Sequence, residues 1–308
     1  MSLTVSSIPA YPLLARGKVR DIYKVDDDTL LLVATDRISA YDIVMRNGIP
    51  EKGKILSCLS EFWLSYLKDI CPNHYITCNI EQMPAPLNEY TDQLSGRSML
   101  VKQFKVLPIE AIVRGYITGS AWKEYQKTGT VHGIKMPGNM QECQALEQPI
   151  YTPSTKAEHG QHDVNINPDQ VISIIGEKYA RQVETLSTEL YIKARNYAMT
   201  RGIIIADTKF EFGVDEQDNI VLIDEVLTPG TYFAIAPADH ADSSRFWEKD
   251  EYKVGMSQES YDKQFLRDWL TKNGLEGKEN VILPDEIIQK TRAKYVKAYE
   301  RLTGQPWF

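Results

Sequence analysis

The stretch IIADTKFEFG, residues 204–213, starts like a buried strand and then sets Asp207, Lys209 and Glu211 at strict alternation. Alternate residues of a strand share a face, so the three charges line one side, with Thr208, Phe210 and Phe212 on the other. A turn signal, DEQDN, separates this segment from a second strand, IVLIDEVL, residues 220–227. With 216–219 as the turn, Glu211 falls opposite Asp224, and like charges across a strand pair repel. A divalent cation relieves that repulsion. Magnesium takes one or two carboxylates together with phosphate oxygens, so the pattern suggests a metal–nucleotide phosphate site. An exposed strand face with a surface ion pair fits the spacing equally well. Against it stand Ile203, Ile204 and Ile205, which place apolar side chains on both faces and imply a strand covered on both sides.

Other stretches offer polar chemistry with less specificity. ARGKVRDIY, residues 15–23, groups Arg16, Lys18 and Arg20 around Gly17, as a hairpin covering phosphates would, or simply as a surface hairpin. VATDRISAYD, residues 33–42, clusters Asp36, Arg37, Ser39 and Asp42 at a strand exit, where polar ligands and capping bonds are equally at home. GIPEKGKI, residues 48–55, matches G-x-x-x-x-G-K, but Ile55 stands where a phosphate-binding loop needs Ser or Thr to hold magnesium. Lys52 and Lys54 at a helix N-terminus still make an anion site or a solvated turn. YTPSTKAEHGQHD, residues 151–163, carries Ser154, Lys156, Glu158, His159, His162 and Asp163 without zinc spacing. Its donors and acids suit substrate binding or closure; a solvated loop also fits.

The elements that must position these residues follow from periodicity. DIYKV, TLLLVAT and SMLVKQFKVLPIEAIVRGYI read as strands, the first two joined by a DDD turn. KILSCLSEFWLSYLKDI reads as an amphipathic helix, TGSAWKEYQKTG as a short helix closed by Gly129, and residues 130–166 as a long loop. Residues 168–202 read as two helices, and the chain beyond Ser260 as mostly helical. This order predicts an α+β fold with a lobe boundary near Gly115–Gly119. With 308 residues the chain can build one large domain or two lobes. A net charge of −7 argues against nucleic acid as the main partner. No apolar run suits a membrane span and no secretory signal is visible. Four cysteines without metal or framework spacing fit reduced thiols in the cytoplasm.

Taken together, GKVRDIY, ATDRISAYD, IPEKGKILSCLSEFW, EAIVRGYITGSAW, TPSTKAEHGQHD, IIADTKFEFG, IDEVLTP and DSSRFW resemble the SAICAR synthetase family of purine-biosynthesis ligases in its fungal form, over nearly the whole chain. The resemblance implies two lobes: residues 1–115, a mainly antiparallel β-sheet with a phosphate-covering hairpin, and residues 116–308, an ATP-grasp-like α+β lobe with a helical tail. It implies a ligase that joins carboxyaminoimidazole ribonucleotide to L-aspartate at the expense of ATP, with Mg2+, acting as a cytoplasmic monomer without nucleic-acid or membrane partners. Carried over by motif, Glu211 and Asp224 hold Mg2+; Gly17, Lys18 and Arg20 cover the phosphates; Lys102, Phe104 and Val106 lie beside adenine. Arg114, Ser120, Asp207 and Arg245 bind the ribonucleotide, with Asp36, Arg37, Ser39 and Lys54 also on the substrate side, and Lys209 with Asp207 is catalytic. The family pattern runs LTPDSSRFW; here GTYFAIAPADHA, residues 230–241, interrupts it before Arg245. This insertion is expected to be peripheral, with its ends close in space. Two other readings remain: a small-molecule kinase with a similar cleft, although the kinase H-R-D and D-F-G patterns are missing, and a nucleotide-binding regulator without turnover.

Overall fold

The computed structural model describes residues 2–41, 43–156, 163–229, 244–261 and 264–307. Strands β1 (Leu13–Arg16), β2 (Arg20–Lys24), β3 (Thr29–Ala34), β4 (Ser39–Ala40) and β5 (Ile43–Val44) lead into helix α1 (Lys52–Leu67). Strand β6 (Tyr75–Thr77), the short helix α2 (Thr91–Leu94) and strands β7 (Ser98–Lys102), β8 (Lys105–Val106) and β9 (Ile109–Tyr116) follow. After α3 (Gly119–Thr128) come β10 (Thr130–Val131), β11 (Ile134–Lys135), β12 (Ala145–Tyr151) and β13 (Ser154–Thr155). Helices α4 (Pro168–Ile175) and α5 (Glu177–Thr200) precede β14 (Ile203–Val214), β15 (Ile220–Ile223) and β16 (Ser244–Glu248), and α6 (Gln264–Lys272) and α7 (Asp285–Thr303) close the chain.

Two antiparallel sheets carry the architecture, as the α+β expectation required. The first runs β1-β2-β3-β7-β6. The second runs β12-β9-β14-β15, with β13 on β9 and both β16 and β8 on β14. The chain passes from the first sheet to the second at residues 103–104; the boundary expected at 115–116 falls at the end of β9, inside the second sheet. Residues 130–166, expected as one long loop, instead hold four strands. β12 pairs with β9, Tyr151 opposite Val113, and β13 pairs Ser154 with Glu110. Their short length and half-exposed side chains erase the alternation that would have marked them as strands.

Helix α1 lies against both β3 and β7 and against α7. Ile55, Leu56, Leu59, Trp63, Leu64 and Leu67 form its buried stripe, because three- and four-residue spacing returns them to one face. Trp63 is fully buried, and truncating it to Ala would cost about 3–5 kcal/mol. One apolar cluster runs from Leu32 and Ile55 through Phe210, Phe212 and Tyr191 to Tyr295, so both sheets share a core. Phe210 and Phe212 point into it, which turns Lys209 and Glu211 to the opposite face of β14, as alternation dictates. Helix α5 covers the sheet from the core side, where the Tyr191 hydroxyl donates to Ile205 O at 2.7 Å.

Candidate active site

Strand β14 is the axis of the site because four other strands pair with it. Along one edge it meets β9 at residues 207–210 and β8 at 213–214; along the other it meets β16 at 203–208 and β15 at 211–214. Register then sorts the charges. Asp207 lies opposite Arg114 of β9 and Arg245 of β16, so three strands put Arg114, Asp207 and Arg245 in one row. Arg114 Nη1 donates to Asp207 Oδ2 at 2.8 Å, and Arg245 Nη2 lies 3.6 Å from the same oxygen. Arg114 Nε also donates to Thr152 Oγ1 at 3.0 Å. Asp207 Oδ1 is buried with no hydrogen-bond partner among the described residues. Gly119, at φ +59°, backs directly onto the Arg245 guanidinium: a Cβ there would stand 2.2 Å from Nη1. Ser120, the next residue, lies in the first turn of α3. Of the four residues expected at the ribonucleotide, Arg114, Asp207 and Arg245 are thus brought together on β14 and its neighbours, with Ser120 next to the glycine that backs onto Arg245.

Toward the other end stands an acidic cluster threaded by three cations. Lys209 Nζ donates to Glu110 Oε1 at 2.6 Å and to Glu211 Oε1 at 3.1 Å. Lys156, just past β13, donates to Glu211 Oε2. Arg20, buried to 2% exposure, forms ion pairs with both Asp224 and Glu225. Ser154 Oγ donates to Glu110 Oε2 at 3.1 Å. Burial pushes the Glu211 carboxyl up, but the Lys156 and Lys209 charges outweigh it and hold it at about 2. Asp224 moves the other way: burial raises it, and Glu211 and Glu225 add to that although Arg20 opposes. Glu110 is also raised, chiefly by burial. A crowd of buried carboxylates with raised proton affinity is an arrangement that a hard cation relieves.

The register corrects the expected pairing. Glu211 faces Ile223, and Asp224 lies one residue beyond, past the end of β15, at φ +67°. The turn is one residue longer than expected because Asp215 joins it, its carboxylate accepting from Gln217 N and Asn219 N. The left-handed backbone at Asp224 offsets that shift. It ends β15 and leaves the carboxyl near enough to Glu211 to feel its charge.

Several other expected site residues have internal partners. Asp36 is wholly buried and accepts from Leu3 N at 2.8 Å, Gly53 N at 3.0 Å and Arg97 at 2.9 and 3.2 Å. It caps the start of α1, so a protein carboxylate takes the place at that N-terminus where an anion was expected. Gly53 has no room for a side chain there, since a Cβ would stand 2.2 Å from Ala34 O. Lys52 is buried over the Tyr295 ring, 5.9 Å from its centre, and Lys54 is half-buried in the first turn. Arg37 donates to Gly17 O at 2.9 Å, Lys18 O at 3.3 Å and Asp21 Oδ1 at 2.8 Å, so it braces the β1–β2 hairpin from behind. Gly17 N closes that hairpin on Arg20 O at 2.8 Å, with Lys18 in the turn. Ser39 is buried in β4. Lys102, Phe104 and Val106 sit at the crossing between the sheets, where β8 pairs with Gly213 and Val214. Asp42, residues 157–162 and the insertion 230–241 lie outside the described residues. Asp242 and Ser243 lie outside them too; Pro229 and Ser244, the nearest described residues on either side, are bridged to each other.

Glu110, Glu225 and two histidines escaped the sequence reading. The signal for Glu110 was present, since Glu110 and Arg114 in EAIVR share parity and therefore a face. Glu225 and His74 carry no pattern that marks them. His74 sits by Arg20 and is pushed down to about 3 by burial; His132, whose Nδ1 lies 2.9 Å from Pro153 O, is pushed down to about 4 by burial and by Arg114.

Comparison with known proteins gives the family. The SAICAR synthetase family model matches residues 13–284. A phosphoribosylaminoimidazole-succinocarboxamide synthase of Pichia angusta is 57% identical over 302 residues, covering 96% of each chain. That of Saccharomyces cerevisiae is 55% identical over 316 residues, covering 100% of this chain and 99% of its own. A solved SAICAR synthase from Saccharomyces cerevisiae, complexed with SAICAR, superposes with a TM-score of 0.90 at 54% identity over 99% of both chains. A type-2 SAICAR synthetase solved with ADP shares the fold at a TM-score of 0.67 and 24% identity. With a family model spanning most of the chain and relatives above half identity along its length, the chain belongs to the SAICAR synthetase family.

Proposed function

We propose that β14 is the floor of a SAICAR synthetase active site, with Glu211 and Asp224 on the metal–phosphate side and Arg114, Asp207 and Arg245 on the ribonucleotide side. The reaction joins the carboxylate of carboxyaminoimidazole ribonucleotide to the amine of L-aspartate as ATP becomes ADP and phosphate. A carboxylate is a poor electrophile. Transfer of the ATP γ-phosphoryl to it forms an acyl phosphate, and attack by the aspartate amine forms the C–N bond and expels phosphate. The small-molecule kinase reading loses to the family match, since a kinase would stop at the phosphorylated product.

The observation that carries the assignment is the buried cluster of Glu110, Lys209, Glu211, Lys156, Asp224 and Arg20 beside the crossing between the sheets. Its donor set fits Mg2+: Glu211 and Asp224 offer hard carboxylate oxygens, and crowding raises the proton affinity of Asp224. Bound there, Mg2+ would neutralise phosphate charge. Lys209, held between Glu110 and Glu211, presents a fixed ammonium to the transferred phosphoryl group. The β1–β2 hairpin with Lys18 covers the phosphates, and residues 102–106 flank the adenine. Arg114 and Arg245 supply two guanidinium groups for the ribonucleotide phosphate, while the free Asp207 oxygen suits a hydroxyl donor. Arg20 grips Asp224 and Glu225 and so orients the metal side rather than touching phosphate. A cytoplasmic monomer completes the reading; light scattering of the purified protein tests the monomer.

The decisive assay is ADP release that requires both the aminoimidazole carboxylate and L-aspartate. ADP release with a stable phosphorylated product in the absence of aspartate would return the kinase reading, and nucleotide binding without ADP release would point to a regulator.

A further inference from the structure

The segment YTPSTK, residues 151–156, runs along β9, and alternation turns Thr152, Ser154 and Lys156 to the face that carries the site. The two hydroxyls among them meet different charged residues of β9. Thr152 is wholly buried and accepts from Arg114 Nε at 3.0 Å. Ser154, also buried, donates to Glu110 Oε2 at 3.1 Å. Backbone bonds fix the segment on both sides. Thr152 N donates to Ile112 O at 2.8 Å, and the Pro153 carbonyl accepts from Ile166 N at 3.1 Å and from His132 Nδ1 at 2.9 Å. The Arg114 guanidinium is therefore held at two corners, Nε by Thr152 and Nη1 by Asp207 at 2.8 Å, and Nη2 has no partner among the described residues. A rigid planar group held at two corners has its third corner aimed. A hydroxyl does this without adding charge. A second carboxylate at Nε would cancel the positive excess of Arg114 and Arg245 over Asp207 and weaken the pull on an anion.

We propose that Thr152 is a positioning residue for ribonucleotide binding: its hydroxyl holds Arg114 so that Nη2 meets the ribonucleotide phosphate. Thr152 acts through Arg114 and does not itself touch substrate. Ser154, two residues on and on the same face, acts at the other end, through Glu110 and the Lys209 ammonium that Glu110 holds at 2.6 Å. The inference rests on the assignment of Arg114 to the ribonucleotide, and the test separates the two.

Steady-state ADP release, with ribonucleotide and ATP varied in turn, gives the readout. Thr152→Val keeps the shape and removes the hydroxyl. It should raise the KM for ribonucleotide about fivefold, the worth of one net hydrogen bond, and leave the KM for ATP near wild type. Thr152→Ser puts the oxygen back and should recover most of that rise. In an Arg114→Ala background Thr152→Val should add nothing, since the group it positions is gone. Ser154→Ala should lower turnover while the ribonucleotide KM stays near wild type. Thermal melts confirm that each variant is folded at the assay temperature, and Thr152→Ala, which also lacks the hydroxyl, replaces a valine variant that does not fold. If Arg114→Ala leaves the ribonucleotide KM at wild type, the assignment of Arg114 is wrong and the proposal falls with it. If Arg114→Ala raises that KM and Thr152→Val does not, the assignment stands and the positioning role is refuted. A rise that Thr152→Ser fails to reverse, or an equal rise for both substrates, also overturns the proposal, because a disturbed strand and not the lost oxygen would be the cause.

Discussion

The two ends of β14 face opposite electrostatic demands. At Asp207, two arginines converge on one carboxylate, leaving an excess of positive charge in the direct ion pairs. Toward Glu211, the carboxylates of Glu110, Glu211, Asp224 and Glu225 meet Lys156, Lys209 and Arg20, four acids against three cations. One end therefore favours an anion and the other a cation. A single strand builds both because each neighbouring strand adds its own charged residue to the row: β9 brings Arg114 and Glu110, β16 brings Arg245, and the turn after β15 brings Asp224. The distance between the arginine row and the acidic cluster is thus set along the strand, at about 3.4 Å per residue.

The comparison breaks first if the acidic end can lose a carboxylate without consequence. Glu211→Gln and Asp224→Asn should each cut turnover by about 2–4 kcal/mol of transition-state stabilisation while leaving the KM for ribonucleotide near wild type. ADP-release kinetics across a magnesium series, with circular dichroism to confirm folding, check this; wild-type turnover at ordinary magnesium would remove the metal from the acidic end.

The arginine end should respond in the other coordinate. Arg245→Ala is expected to raise the KM for the ribonucleotide at least tenfold, the effect of about one charge-assisted hydrogen bond, and to leave the KM for ATP unchanged. Arg114→Ala should do the same but also lose stability, because it leaves buried Asp207 with only the more distant Arg245. Equal effects on both substrates would mean that the two ends are not separate sites.

His132 sharpens the comparison by pH. Its folded-state pKa of about 4 lies below the ordinary value of 6.5, so the unfolded chain takes up the proton first as pH falls. The stability this neutral imidazole contributes is complete above pH 6.5 and is lost on the way down to 4. At pH 5 the loss is about 2 kcal/mol. His132→Gln should flatten the fall in melting temperature across that window; an unchanged slope would show that the imidazole does not stay neutral beside Arg114.

A smaller effect is expected at Gly119. Gly119→Ala puts a methyl against the Arg245 guanidinium and strains a left-handed backbone by about 1 kcal/mol. It should raise the ribonucleotide KM less than Arg245→Ala does, with the two changes non-additive in the double variant; additive effects would place Arg245's ligand contact elsewhere. The least effect belongs to removal of residues 230–241. Pro229 and Ser244 are bridged and so lie close together, near enough for the two remaining residues to join them once the parallel bridge gives way, and activity near wild type is expected. A folded deletion variant that no longer binds ribonucleotide would make the insertion part of the arginine end.

The sequence by itself determined which charged residues share a face of β14, because alternation is a local property: Asp207, Lys209 and Glu211 cannot avoid sharing a face once the segment is extended. Local pattern likewise determined α1, α3 with its Gly129 stop, and the pair α4–α5, whose apolar spacing lies within each segment. Tertiary structure decided the rest. Whether Asp36 met a ligand or Gly53 N–H depended on where α1 packed, and its capping role follows from that contact. Whether Glu211 faced Asp224 or Ile223 depended on a single turn residue, which no alternation rule reads. Strands β10, β11 and β13 were invisible because two-residue strands have no period to detect, and β12 because its side chains are mostly exposed or half-exposed and show no alternation. Glu110, Lys156 and Arg20 joined Lys209, Glu211 and Asp224 only through pairing between segments far apart in the chain. Partners at such separations are chosen by the packing of the whole core, and no window of sequence contains that choice.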